Sequence, residues 1–296
     1  ESAKKIYSEV KDLPIIDYHC HLDQYKIKDD AKFQNIGELW LAGDHYKWRA
    51  MRLSGVGEEL ITGNSSWREK FRAYASVLPK LAGNPLYYWT HMELQQVFGI
   101  FEPLSAESAD RIFDAANEKL QNISVSTLLK QYKVEFVATT DDPCDDLLAH
   151  GKYGGTIVAP TFRPDKLFTL DEGYLECLGE AAGEDVSTLA GLLKAVEKRL
   201  LYFISRGCRI SDHGFCRFAQ YYVTHSTAEK LYSERRSLNE EQKEALFGYL
   251  LVELARLYKK HHIIMQLHFA VTRNVNGPMF AKCGADAGFD VIADRS

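Results

Sequence analysis

The chain has 296 residues, 46% of them hydrophobic, which suffices for one large α/β domain or two ordinary ones with a sizeable core. Its net charge of -5, from 36 basic and 41 acidic side chains, argues against nucleic acid as the main partner, yet leaves room for an anionic substrate held by one or two placed arginines. No run approaches the ~20 apolar residues of a membrane span, and Glu1-Ser2-Ala3-Lys4-Lys5 lacks the apolar core of a signal peptide, so a cytoplasmic protein with no membrane partner is expected.

In chain order, Ile6, Tyr7 and Val10 recur at helical spacing, and Asp12-Leu13-Pro14 closes that first helix. A short apolar strand follows and runs into His19-Cys20-His21-Leu22. From Asp23 to Leu120 there are almost no β-branched runs, and breaks near Gly55, Gly63, Gly83 and Pro103 punctuate what reads as several amphipathic helices. From Val134 a βα rhythm begins. Four apolar segments, Glu135 to Asp142, Thr156 to Asp165, Gly207 to Gly214 and Ile263 to Phe269, each run into polar, chemically capable residues. Helical stretches separate them, notably Thr188 to Ser205 and Asn239 to Lys260, where Leu246, Leu250, Leu254 and Leu257 recur at three- and four-residue steps. Alternation of this kind implies a parallel sheet, and the expected division is 1–22 (first helix and strand), 23–130 (helical insertion) and 131–296 (βα units). The six cysteines form no Cys-x-x-Cys pair and read as reduced thiols, and an initial Glu in place of Met points to a trimmed N-terminus.

In a parallel α/β sheet or barrel, chemistry collects at the C-terminal ends of the strands. Five such ends carry His19/His21, Asp141/Asp142, Arg163/Asp165, Asp212/His213 and His268. Side chains at i and i+2 of a strand share a face, so His19 and His21 present two imidazoles side by side, a metal-ligand arrangement. Asp212 and His213 differ by one position, so only one faces the pocket, and Asp212 is expected to be that one. Asp141-Asp142-Pro143 reads as a supporting turn. Arg163-Pro164-Asp165 can equally be a structural salt-bridged turn, and His45 and Tyr46 can be helix-surface residues.

These stretches resemble the uronate isomerase (glucuronate isomerase) family, a divergent branch of the amidohydrolase superfamily, across essentially the whole chain. The matching segments are PIIDYHCHL (14–22), GDHYKWRAMR (43–52), LITG (60–63), GNPLYYWTHMEL (83–94), TTDDP (139–143), RPDK (163–166), SDHG (211–214), QLH (266–268) and GFD (288–290). The resemblance implies a distorted (β/α)8 TIM-type barrel with a helical insertion after the first strand, of which about five barrel strands are present here. It implies an enzyme interconverting D-glucuronate with D-fructuronate and D-galacturonate with D-tagaturonate, working as a homo-oligomer. By similarity His19 and His21 hold a divalent metal, zinc foremost. Tyr46 and His45 are the catalytic pair, and Arg163, Asp212, His268 and Arg49 meet the sugar acid. The family continues beyond Ser296 with a Trp-Trp motif and a Thr-Asp-Ser-Arg motif that brings a further metal-binding aspartate, so the chain is expected to be part of a longer protein. The competing expectations are a metal-dependent hydrolase or deaminase of the same superfamily and a catalytically incomplete fragment.

The implied chemistry suits these residue types. Moving a carbonyl from C1 to C2 takes a proton from C2 and delivers one to C1 through an enediol whose oxygens gather negative charge. An arginine fork suits a carboxylate or an enediolate oxygen. A tyrosine of ordinary pKa, about 10, needs a neighbouring base or cation to move protons at neutral pH.

Overall fold

The computed structural model describes residues 1–292. In chain order the elements are α1 (Ser2–Val10), β1 (Ile15–Asp17), α2 (Gln24–Lys28), α3 (Ile36–Leu41), α4 (His45–Leu53), α5 (Trp67–Val77), α6 (Pro85–Phe98), α7 (Ala109–Leu120) and α8 (Val125–Gln131). There follow β2 (Val134–Ala138), β3 (Gly151–Tyr153), β4 (Thr156–Ala159), α9 (Glu172–Ala182), α10 (Leu189–Ser205), β5 (Ile210–Phe215), α11 (His225–Ser233), α12 (Glu240–His261), β6 (Ile264–Phe269), β7 (Val271–Thr272), α13 (Gly277–Cys283) and β8 (Val291–Ile292). Contacts divide the chain into two compact units, one containing Glu1–Asp29 and Leu129–Val271, the other Asp30–Leu128 and Thr272–Val291.

The first unit is α/β. Strand β1 pairs in parallel with β2, and β2 with β4. Past β4 the backbone stays extended, and Phe162 bridges Asp141 on one side and Ser211 on the other, both in parallel. Its N–H donates to the Ile210 carbonyl at 3.2 Å, and its carbonyl accepts from Asp212 at 3.0 Å. Strand β5 then pairs in parallel with β6. The five strands expected from sequence are therefore neighbours in chain order: β1, β2, β4, β5, β6. Among the described residues they do not close into a ring. In the sheet of β1, β2 and β4 one strand was not foreseen: β3 folds back antiparallel on β4 through Gly154 and Gly155, whose φ values of 58° and 107° suit glycine.

The helices of this unit bury a continuous apolar core. Leu246, Leu250 and Leu254 of α12 are at most 1% exposed, and Leu257 packs against them half-buried, so the spacing in sequence marks the buried face. Each such leucine contributes about 1.5–3 kcal/mol by leaving water. Asn239 and Gln242 close the N-terminus of α12 with a reciprocal capping box, satisfying backbone donors that have no partner within the helix. Phe162 lies at the centre, fully buried, with its ring edge-on to Phe203 at 5.0 Å and Tyr258 at 6.4 Å.

The second unit is helical. Trp40, Phe71, Tyr74, Leu94, Phe98, Ile112 and Phe113 form its core, with Trp40 stacked on Phe71 at 5.8 Å. Residues 272–291 belong here, although the sequence pattern grouped them with the βα units. The tie is Arg52, which pairs with Glu58 through two nitrogens (2.8 and 2.6 Å), donates to the Ala287 carbonyl and stacks on Phe289 at 4.4 Å.

Candidate active site

Strand β1 ends at Asp17, two residues short of His19, but Cys20 continues the pairing by donating to the Ala138 carbonyl at 2.9 Å. His19 and His21 thus flank a backbone anchored to β2. Their rings lie 5.2 Å apart, edge to face. Opposite, Asp212 on β5 is wholly buried. In the parallel register Asp212 is level with Gln266 and Gly214 with His268, and His268 reaches back over that step to Asp212. Its Nδ1 lies 2.6 Å from Asp212 Oδ1. A carboxylate only accepts, so Nδ1 is the donor, and in a neutral ring the lone pair is then on Nε2. His19 joins the group from the other side, its ring 4.7 Å from that of His268 and its Nδ1 4.0 Å from Asp212 Oδ2.

The third approach is from β4. Arg163 Nε donates to Asp165 Oδ2 at 2.9 Å and Nη1 lies 3.1 Å from Asp212 Oδ2. The salt-bridged turn is thus present, and it sets Arg163 beside Asp212. His213 faces the other way, as alternation requires, with Nε2 3.1 Å from the Tyr258 hydroxyl and Nδ1 3.4 Å from Asp165. Asp141 supports the strand ends: buried with Thr139 and His150, it accepts from the Thr139 hydroxyl at 2.7 Å and from the Thr161 N–H at 3.2 Å.

Electrostatics favour neutral imidazoles here. Burial lowers the pKa of His19, with Asp212 opposing and His268 and Arg163 adding to the effect. His21 is also lowered, by burial first and then by His19 and Arg163. Neutral imidazole is the metal-ligating form. His19, Asp212 and His268 offer ligand atoms that all lie within 4.8 Å of one another. Two of these atoms, His19 Nδ1 and Asp212 Oδ2, are buried without a hydrogen-bond partner. At 4.0 Å apart, both can reach one ion with bonds of about 2.0–2.2 Å, so the donor set fits a metal ion. His21 lies outside this three-residue cluster, whereas Asp212 and His268, which the resemblance assigned to the substrate, lie within it.

His45, Tyr46 and Arg49 belong to the helical unit. Asp44 caps α4 by accepting from the N–H groups of Tyr46 and Lys47 at 3.0 and 2.9 Å, which fixes His45 and Tyr46 in the first turn with rings 4.4 Å apart. Tyr46 is 65% exposed, and with Arg49, Leu53, Leu81, Leu86 and Trp89 it lines a cavity of about 540 Å³. Sequence reasoning missed two features: Gly214, whose N–H donates to Asp165 Oδ2 at 2.9 Å, and Asp165 as the group that ties Arg163 to that backbone. The SDHG and RPD strings contained both, but only the register of β4 against β5 brings them together.

The family model described as glucuronate isomerase matches residues 1–296. The uronate isomerase of Shouchella clausii is 43% identical over 309 aligned residues, covering 99% of this chain and 66% of that protein. That of Streptococcus uberis is 40% identical, covering the whole chain and 66% of its own length. Among solved structures, uronate isomerase from Thermotoga maritima superposes with a TM-score of 0.95 at 35% identity, over 99% of this chain and 67% of that one. Glucuronate isomerase from Caulobacter crescentus gives 0.93 at 30% identity, over 99% and 65%. The chain thus spans about two-thirds of the length of the relatives it matches.

Proposed function

Because the chain belongs to the glucuronate isomerase family, we propose that the protein it represents is an aldose–ketose isomerase of hexuronates. The reactions are D-glucuronate to D-fructuronate and D-galacturonate to D-tagaturonate. The observation that carries this reading is the sharing of one buried carboxylate, Asp212, among His268, His19 and Arg163 at the ends of parallel strands. Five parallel strands adjacent in chain order fit the first five of a (β/α)8 barrel, and the exposed Ile15, Ile16, Ile264 and Phe269 on the outer strands fit neighbours on either side. No described helix is long and apolar enough to cross a membrane.

His19, Asp212 and His268 would hold the metal, with His21 beside them as a further donor. Such an ion supplies Lewis acidity toward substrate oxygens. The chain's own groups do the rest. Arg163, a permanent cation with a planar fork, neutralises the substrate carboxylate or an enediolate oxygen. Asp212, accepting from His268 Nδ1, would hold that ring in the tautomer that leaves Nε2 as its metal-ligating atom. Tyr46 and His45, adjacent at the start of α4, are the candidates for moving the proton between C2 and C1, and Arg49 is a second cation for the sugar acid.

The test is to incubate the full-length protein with D-glucuronate in deuterated water and follow carbon-bound protons by NMR. Ketose signals together with deuterium uptake support isomerisation. A hydrolase or deaminase of related fold would give neither, and their absence would refute the proposal.

A further inference from the structure

Three groups of the first unit converge on one guanidinium. Arg163 Nε donates to Asp165 Oδ2 at 2.9 Å, and Nη1 lies 3.1 Å from Asp212 Oδ2. Nη2 lies over Gly214, where any Cβ would collide with it. Asp165 is itself tied down: the same Oδ2 accepts the Gly214 N–H at 2.9 Å, and Oδ1 lies 3.4 Å from His213 Nδ1. The guanidinium is therefore roped to the backbone of β5 by Asp165 and lies against that strand because residue 214 has no side chain. Backbone conformation does not demand glycine there, since its φ is outside the left-handed region. Space for Arg163 is what the missing Cβ provides.

We propose that Gly214 and Asp165 are positioning residues for Arg163, holding its fork in one place beside Asp212 so that it meets an anionic oxygen of the sugar acid. The proposal deepens the isomerase reading and rests on it for the identity of the ligand. An arginine fixed before the substrate arrives loses no side-chain freedom on binding and presents its donors in a constant direction. Neither residue touches substrate; each acts through Arg163.

The experiment uses Gly214→Ala and Asp165→Asn in the full-length protein, each alone and combined with Arg163→Lys. It reads KM and kcat on D-glucuronate, affinity for D-gluconate by calorimetry, and thermal melting. D-Gluconate keeps the carboxylate but has no carbonyl to isomerise, so its binding is independent of turnover. Gly214→Ala is expected to weaken D-gluconate binding and raise KM by roughly tenfold to a hundredfold, the penalty of a fork displaced by about 1 Å. Melting should stay at the wild-type value, because the methyl displaces only the far end of a flexible side chain. In the Arg163→Lys background, where no second nitrogen lies over residue 214, the same change should add less than about twofold. Asp165→Asn should follow the same pattern in D-gluconate affinity and KM, but with a lower melting point, because Asp165 also accepts the Gly214 N–H and faces His213. An unchanged D-gluconate affinity in Gly214→Ala, or an effect of equal size in the Arg163→Lys background, would overturn the proposal. Protein that binds D-gluconate with this pattern yet leaves D-glucuronate untouched would overturn the isomerase reading while sustaining the placement of Arg163.

Discussion

Removing Arg163 should make the stability of the protein depend on metal. Asp212 is wholly buried, and its Oδ2 has a cation 3.1 Å away at Arg163 Nη1 but no hydrogen bond. At an effective dielectric of about 20, opposite unit charges at that separation attract by about 5 kcal/mol. Part of this is recovered when the pair is broken, because Asp212 keeps its bond to His268. Removal of one partner of a buried pair typically costs about 3–5 kcal/mol, and the lower end applies because the Arg163 side chain is 21% exposed. For a chain of 296 residues, unfolding entropy near 2 cal/mol/K per residue converts ~3 kcal/mol into a melting point about 5 °C lower. A divalent ion between His19 and Asp212 would replace the lost charge. Thermal melts of Arg163→Met and wild type, each with chelator and with excess zinc, check this. The variant should melt several degrees low in chelator, and zinc should raise it more than it raises wild type. Equal melting in chelator, or equal stabilisation by zinc, would show that Arg163 does not balance Asp212.

Three further outcomes are expected. Tyr46→Phe should lower kcat by roughly 10²–10⁴-fold, the usual span for loss of an acid–base group, without changing the melting point, because Tyr46 is 65% exposed; a stability loss instead would assign it to packing. His268→Ala and His19→Ala should each reduce the zinc content of chelated and reconstituted protein more than His21→Ala does, and metal analysis showing the reverse order would move the site away from Asp212. In the helical unit, hydrogen bonds from Arg52 hold Glu58 at about 2 against the opposing effect of burial, with Thr62 and Cys283 adding to the depression. A folded-state pKa below the unfolded value means this stabilisation is complete above about pH 4.5 and is lost as pH falls toward 2. Glu58→Gln should flatten the acid limb of stability against pH in that window, and a limb as steep as wild type would locate the acid sensitivity elsewhere.

Much of this was written locally in the chain, and the rest depends on register. Strands β2, β4, β5 and β6 are apolar runs that turn polar at one end, and helix α12 declares its buried face through Leu246, Leu250 and Leu254. Strand β3 is three residues with no alternation to read, recognisable only through the Gly154-Gly155 turn that folds it onto β4. The place of residues 272–291 in the helical unit follows from Arg52 meeting Ala287 and Phe289, more than 200 positions away, and no periodicity announces such a contact. The candidate site divides in the same way. His19, Arg163, Asp212 and His268 were visible as strand-end residues, and alternation gives Asp212 and His213 different partners, His268 and Tyr258. That His268 hydrogen-bonds Asp212 follows from a two-residue offset in parallel pairing, and that Gly214 makes room for Arg163 follows from the bridge at Phe162.

The most direct test of Asp212 as the centre of the chemistry is Asp212→Asn in the full-length protein, assayed with D-glucuronate in deuterated water beside wild type. Wild type should form ketose and take up carbon-bound deuterium, while the variant, folded by near-ultraviolet circular dichroism, should be slower by at least about a hundredfold, as expected when a charged active-site group is lost. Conversion by the variant at the wild-type rate would contradict the assignment of this buried carboxylate, and the histidines and arginine gathered on it, to the active site.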